Sequence, residues 1–105
     1  MANARHKNSI FVDTTGDITV DGVTPVIMGV LVTPSAANSQ VVIKETNSSG
    51  TTKIDVKIEG VESRYVDFSG LGGVYMTTTF NITTLTNITS VILYGTFTAP
   101  VGKAI

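Results

Sequence analysis

Few residues of this chain have the type and position that catalysis requires. His6 is the only histidine, and it lies in a polar N-terminal segment between Arg5 and Lys7. A general base has to be held within hydrogen-bond reach of a nucleophile and oriented by a third group, which a terminal segment does not provide. The chain also has no cysteine and contains neither a G-x-S-x-G nor an H-E-x-x-H sequence. We therefore predict that the protein is not an enzyme.

Carboxylates near predicted turns are the remaining candidates for a metal site. Asp13, Asp17 and Asp21 recur at every fourth residue, and hard cations bind such oxygens. This spacing does not match an EF-hand loop, whereas turn aspartates commonly hydrogen-bond their own backbone. The glycines within residues 70–73 precede no predicted helix, so they are not a phosphate cradle. The sequence predicts neither a metal nor another cofactor.

Two patterns could point to carbohydrate. Asn47, Asn81 and Asn87 each begin an N-x-S/T sequon, but no secretory signal precedes them, so we interpret the sequons as a product of Thr- and Asn-rich composition. Exposed aromatic rings could stack on a sugar, and the candidates are the three tyrosines, Tyr65, Tyr75 and Tyr94. The low aromatic content of 7% disfavours a sugar-binding module, although this alternative stays open.

Charge and composition restrict the partners. The net charge of -1 and the pI of about 5.6 are unlike the basic footprint that nucleic-acid binding requires, so we predict no nucleic-acid partner. Only 14% of residues are charged, compared with about 25% in ordinary domains. Such a surface is poorly soluble unless other subunits cover it, which favours a homo-oligomer. The alternative is a monomer with a Thr-rich sheet face, because Thr suits strands.

No segment has the length of a signal peptide or a membrane span. The longest apolar stretch, residues 26–32, is far shorter than the roughly 20 residues that cross a bilayer as a helix. We predict a protein made in the cytoplasm, with no membrane partner.

The clearest structural element is a hairpin within residues 40–59. Residues 53–59 alternate apolar and charged side chains, which is typical of a strand with one buried face. Residues 41–45 form its partner, and since both strands share one core, Val41 and Ile43 must lie with the apolar set. The charged face is predicted to remain in water.

Two hairpin registers satisfy this requirement. In the first, Lys44 pairs with Asp55 across the wet face, and the loop centres on Ser49–Gly50, so that Gly50 takes the positive φ of a tight turn. In the second, Lys44 pairs with Lys53, which places like charges opposite each other. We predict the first register.

Short apolar runs separated by turn residues extend along the whole chain. The predicted strands are residues 9–14, 18–20, 24–34, 41–45, 53–59, 64–69, 75–84 and 88–98. The run 24–34 is too continuous for a one-sided strand, so it should cross the middle of a sheet with both faces covered. Gly29 within it suggests a bulge or a close approach.

Strands at this spacing, with no helical period, predict an all-β fold. We expect a single antiparallel β-sandwich, jelly-roll or Ig-like, of about seven to eight strands with a short N-terminal arm. The chain would form one domain, divided into the arm at residues 1–8, the sandwich at residues 9–98 and a C-terminal tail at residues 99–105.

Three segments together resemble a known group of proteins: VLVTPSAANSQVVIKE, ESRYVDFSGLGGVYMTT and LTNITSVILYG. In this order they resemble small virion-associated proteins of tailed bacteriophages, over roughly Ile27 to Gly95. The resemblance implies a β-sandwich that binds the major capsid protein as a decoration (cement) or other minor structural protein. It also implies a location on the virion surface after synthesis in the host cytoplasm.

The resulting hypothesis is a non-enzymatic protein that stabilises the phage head, as a homotrimer at a three-fold or quasi-three-fold position. Its contacts are predicted on the arm, on the uncharged strands and at the apolar C-terminus, through Arg5, His6, Lys7, Ile27, Val91 and Ile105. Two alternatives remain. One is a head-to-tail connector or tail component, and the other is a carbohydrate-binding β-sandwich module.

Overall fold

Two antiparallel β-sheets packed face to face form the protein in a computed structural model, which describes residues 4–5, 8–20 and 24–97. The strands in these ranges are β1 (Ala4–Arg5), β2 (Ser9–Val12), β3 (Gly16–Thr19), β4 (Val26–Pro34), β5 (Ser39–Glu45), β6 (Thr52–Ile58), β7 (Arg64–Asp67), β8 (Val74–Tyr75), β9 (Thr79–Thr86) and β10 (Ile88–Thr96). Sheet A has the order β1-β2-β10-β4-β7, with β8 also paired to β4, and sheet B has the order β3-β9-β5-β6. The helical content of the described ranges is one 3-10 turn, Ser69–Leu71.

The strand order is that of a jelly roll. Among the strands of four residues or more, the first pairs with the last, β3 with β9, β4 with β7, and β5 with β6. These antiparallel pairs describe one long hairpin wrapped over itself into two sheets, which is the connectivity of a jelly roll. The predicted all-β sandwich is therefore confirmed, and the topology is jelly-roll rather than Ig-like.

The core lies between the sheets because the strands alternate inward apolar side chains with outward ones. Phe80, Phe97 and Ile43 are among the largest fully buried residues. Both sheets contribute to one continuous cluster of buried side chains, which also includes Val30 and Leu93. Each fully buried side chain of this size contributes about 1.5–3 kcal/mol relative to an exposed one.

The hairpin formed by β5 and β6 has the predicted faces but the other register. Val41, Ile43 and Ile54 are buried as expected. However, Ile43 pairs with Ile54, and a bulge then sets Lys44 opposite Thr52. The predicted pairing of Lys44 with Asp55 is wrong. The bulge removes the like-charge pairing that had counted against this register, since it moves Lys44 away from Lys53.

The hairpin loop explains why this register is preferred. Thr46, rather than Gly50, adopts the left-handed conformation, with φ of 69°. The Thr46 backbone N–H donates to the Thr79 carbonyl oxygen of β9 at 3.0 Å and to the Thr77 hydroxyl at 2.8 Å. Gly50 is required for a different reason, because a Cβ there would collide with the Glu45 carbonyl oxygen. A contact with β9 thus fixes the turn.

Two other elements differ from the sequence-based expectation. The predicted strand at residues 75–84 is divided, because β8 belongs to sheet A and β9 to sheet B, with Met76 buried at the crossing. The apolar run that becomes β4 does lie inside sheet A, between β10 and β7. Only its inner face is fully buried, however, and outward residues such as Met28 and Leu31 are half-buried. No second layer covers that outer face within the described ranges.

Candidate interaction surface

The described residues bring together no cluster of metal-binding side chains. No group of three or more His, Asp or Glu side chains in these ranges could hold a metal ion. Asp13 accepts a hydrogen bond from the Thr14 hydroxyl at 3.0 Å, and Asp17 accepts one from the Asn81 amide at 2.7 Å. Asp21, the third member of that series, lies outside the described residues. Asp13 therefore bonds its chain neighbour, whereas Asp17 bonds across to strand β9.

A groove of about 270 Å³ lies where β5 begins and β6 ends. Its walls include Gln40, Lys57 and Glu59, and the buried Ser39 hydroxyl beside it donates to the Ile58 carbonyl oxygen at 3.4 Å. Every buried side-chain nitrogen and oxygen in the described part of the chain has a partner. The groove thus presents no unpaired buried group that a ligand would satisfy.

The outer face of sheet B is polar, and we call it the polar face. Its charged members are Asp17, Lys44, Lys53, Asp55 and Lys57. Side chains on this face pair with each other, as when the Gln40 amide donates to Asp55 at 3.0 Å. Lys53 and Glu45 approach to 4.0 Å, but both are about one-third exposed, so this ion pair contributes little stability. The polar face has the character of a solvated surface.

Asn81 is the one strongly buried polar side chain of this face, with 8% exposed. Its amide nitrogen donates to Asp17 at 2.7 Å, and its amide oxygen accepts from the Thr83 hydroxyl at 2.7 Å. The first bond links β3 to β9, the second lies within β9, and together they satisfy an amide that would otherwise be costly to bury. Asn81 therefore has a structural role, and its burial leaves its sequon inaccessible.

The outer face of sheet A has the opposite character. One cross-strand row runs from Tyr65 through Leu31 and Ile92 to Phe11, since these residues pair in register and point to the same side. Tyr94 lies in the adjacent row, opposite Gly29. We call this set, Phe11, Leu31, Tyr65, Ile92 and Tyr94, the aromatic face. Tyr65 is 51% exposed and Tyr94 is 37% exposed, while the other three are half-buried.

A glycine shapes the centre of the aromatic face. The ring of Tyr65 lies across Gly29, since a Cβ built there would be only 2.8 Å from the ring carbon Cε1 of Tyr65. This position lets the ring contact Tyr94 edge to face, with centroids 6.0 Å apart and planes at 63°. The predicted close approach at Gly29 is confirmed. The two tyrosines form a packed pair rather than two independent side chains.

Charge is nearly absent from this sheet. Its strands carry three charged residues, Arg5 on edge strand β1 and Arg64 and Asp67 on edge strand β7. Hydrogen bonds from the Ser69 hydroxyl and from the Ser69 backbone N–H lower the pKa of Asp67 below its usual value. The Asp67 carboxylate is thus held ionised at the rim, and the centre of the face is neutral.

The structure changes part of the predicted interface. Ile27 and Val91 lie in the core, with 0% and 1% exposed, so their side chains are not available to a partner and that part of the prediction is wrong. Strand alternation instead turns Met28 and Ile92 outward. The backbone of Arg5 pairs with Ile10 inside sheet A.

The remaining predicted contacts, His6, Lys7 and Ile105, lie outside the described residues. None of the described helical structure reaches the length and apolar character needed to cross a membrane. Searches against protein-family models, curated proteins and solved structures found no match to this chain.

Proposed function

We propose that this protein is a non-enzymatic structural component of a tailed-phage virion, which binds the major capsid protein lattice and stabilises the head. The observation that carries the proposal is the contrast between the two sheets: a hydrated polar face on sheet B and a neutral aromatic face on sheet A. A protein whose described surface offers a docking face and no reaction centre is suited to assembly.

The fold is compatible with this role without requiring it. Jelly rolls occur in viral capsid proteins and also in lectin domains, and a fold alone does not determine a function. The resemblance of the segments around Pro34, Arg64 and Leu93 to small virion proteins favours the capsid among these uses. The 63° angle between the Tyr65 and Tyr94 rings gives no flat platform of the kind that stacks on a sugar ring.

Stabilisation would come from many modest contacts acting together. A lattice repeats one binding site many times, so a small protein that contacts several neighbours gains avidity beyond any single contact. Because it binds only the assembled state, it shifts the equilibrium toward the intact shell. The polar face would remain in water, on the side away from the shell.

Binding to purified heads tests the proposal. The full-length protein, added to heads that lack it, should co-sediment with them at a saturating copy number comparable to that of the capsid subunits, and should raise the temperature at which the heads release DNA. A copy number of a few per particle, with ring symmetry in electron micrographs, would identify a connector or tail component instead. Absence of binding to heads, together with affinity for a glycan array, would contradict the proposal.

A further inference from the structure

The aromatic face gathers exposed and half-buried apolar side chains on one side of sheet A. Three of its members, Tyr65, Tyr94 and Leu31, are large side chains that remain partly accessible on the outside of sheet A. An apolar surface of this kind usually marks a contact with another macromolecule. We propose that the aromatic face is the contact surface between two copies of this chain. The inference rests on the proposed function only in treating this face as an assembly surface. It assigns that surface to the second copy, so the dimer would contact the shell through its sheet edges and loops.

The size of the aromatic face allows contact with a second copy of this chain. Four strands, β2, β10, β4 and β7, lie side by side, which at about 4.8 Å per strand gives a width of roughly 19 Å. The four strands have 4, 9, 9 and 4 residues, and at about 3.3 Å per residue they give a projected area of roughly 410 Å². This is about half of the roughly 800 Å² per partner of a standard interface, so the contact should be weak and should form only as the protein concentration rises.

The charge distribution also permits self-association. A two-fold contact uses the same surface on both copies, so a face with a net charge at its centre would repel itself. Here the centre is neutral, and the charged residues lie at the edges, Arg64 and Asp67 on β7 and Arg5 on β1. A two-fold axis parallel to the strands, through the middle of the sheet, places β7 of each copy above β2 of the other, which keeps the two Asp67 carboxylates apart.

The residue types match those that dominate protein interfaces. Tyrosine is enriched in the buried centres of interfaces, where it supplies a large contact area at low entropic cost. The Tyr65–Tyr94 pair is already held in place by Gly29, so little side-chain freedom is lost on binding. Two such faces can pack as the sheets of a sandwich do, about 10 Å apart. This arrangement gives a dimer, in contrast to the trimer expected from the sequence.

Sedimentation equilibrium of the purified full-length protein, without capsids, tests the inference. The wild-type protein should form a dimer as its concentration rises. Tyr94→Lys should raise the dimer Kd by at least about tenfold, as expected for loss of a central interface residue. Val61→Lys is the matched control, because Val61 is 63% exposed in the loop between β6 and β7, and its Kd should equal that of the wild type. Circular dichroism verifies that each variant is folded.

Cross-linking of introduced cysteines tests the same dimer contact if Tyr94→Lys does not fold. The chain has no cysteine, so Ile92→Cys introduces a unique thiol on central strand β10, and a short bismaleimide should cross-link it to its counterpart. Val61→Cys should remain uncross-linked under the same conditions. A monomeric or trimeric mass, a folded Tyr94→Lys variant that dimerises normally, or equal cross-linking of the two thiols would overturn the inference. A wild-type monomer that still coats heads would leave the proposed function intact.

Discussion

The substitution of two glycines by alanine should separate two kinds of close contact in sheet A. Neither Gly29 nor Gly95 has a positive φ, so alanine can adopt either backbone conformation and should gain about 0.4–1 kcal/mol at both sites by restricting the unfolded chain. Any difference in the free energy of unfolding between the two variants therefore depends on the atoms that the added Cβ contacts. At Gly29 it meets the Tyr65 ring, whereas at Gly95 it meets the backbone of Val26 and Ile27.

Gly95→Ala should be clearly destabilising. The new Cβ would lie 2.9 Å from the Val26 carbonyl carbon and 3.0 Å from the Ile27 Cα, and neither atom can rotate away. Overpacking of this kind costs about 1–3 kcal/mol. Separation of β10 from its neighbours would also weaken the hydrogen bond from the Gly95 N–H to the Asn8 carbonyl oxygen, 3.0 Å long, which is worth about 1 kcal/mol. After the entropic gain, we expect a net loss of about 2–3 kcal/mol.

Gly29→Ala should leave stability nearly unchanged. The Tyr65 side chain is half exposed and can move off the new methyl group at the cost of its edge contact with Tyr94, about 0.5–1.5 kcal/mol. The gain from alanine offsets most of this loss, so the net change should be within about 1 kcal/mol of zero. Displacement of the ring should nevertheless weaken dimerisation, because the aromatic face loses its packed pair.

Urea denaturation followed by circular dichroism measures both free energies of unfolding. The middle of the expected ranges gives a gap of about 2 kcal/mol. This corresponds to a Tm that is lower by roughly 8–16 °C for Gly95→Ala than for Gly29→Ala, given about 4–8 °C per kcal/mol for a domain of this size. Equal stabilities, or a Gly29→Ala variant less stable than Gly95→Ala, would show that the assigned contacts are wrong.

Three further outcomes are expected. Asn81→Ala leaves the Asp17 carboxylate without its amide donor, and should lower the free energy of unfolding by about 1–3 kcal/mol, measured by the same denaturation. The Ser69 hydroxyl and N–H lower the pKa of Asp67 in the folded state. The contribution of Asp67 to stability is therefore present above the ordinary pKa of 3.8 and is lost as the pH falls through the lower folded pKa. Asp67→Asn should make the free energy of unfolding less dependent on pH in that range, and an unchanged profile would refute this assignment. Lys57→Glu should leave co-sedimentation with heads intact, since loss of binding would place the polar face against the shell.

Local patterns predicted most of the strands. The alternation in residues 53–59 determined which side chains of the hairpin are buried, because each residue faces opposite to its neighbours whatever the strand pairs with. The register did not follow in the same way. It depends on Thr46 bonding to Thr79 of β9, which is far away in the sequence, and on a bulge at Lys44 that no short-range pattern indicates.

The candidate surface was harder to predict for a related reason. In β4 and β10 both faces are apolar, so alternation does not reveal which one faces the core. The prediction of Ile27 and Val91 as contact residues therefore chose side chains that point into the core. One signal was available in β7. Tyr65 and Asp67 lie two residues apart and so share one face of the strand, and a face that carries a carboxylate is not the one buried in the core.

The sequence by itself determined the absence of cysteine chemistry, the low charge, the all-β class and the alternation within each strand, since these depend on residue type and near neighbours. Tertiary structure decided the jelly-roll pairing, the hairpin register, the division of residues 75–84 between two sheets, and the gathering of Phe11, Leu31, Tyr65, Ile92 and Tyr94 on one face. These features join residues far apart along the chain. Their free energies come from contacts that exist only after both sheets have closed on the shared core.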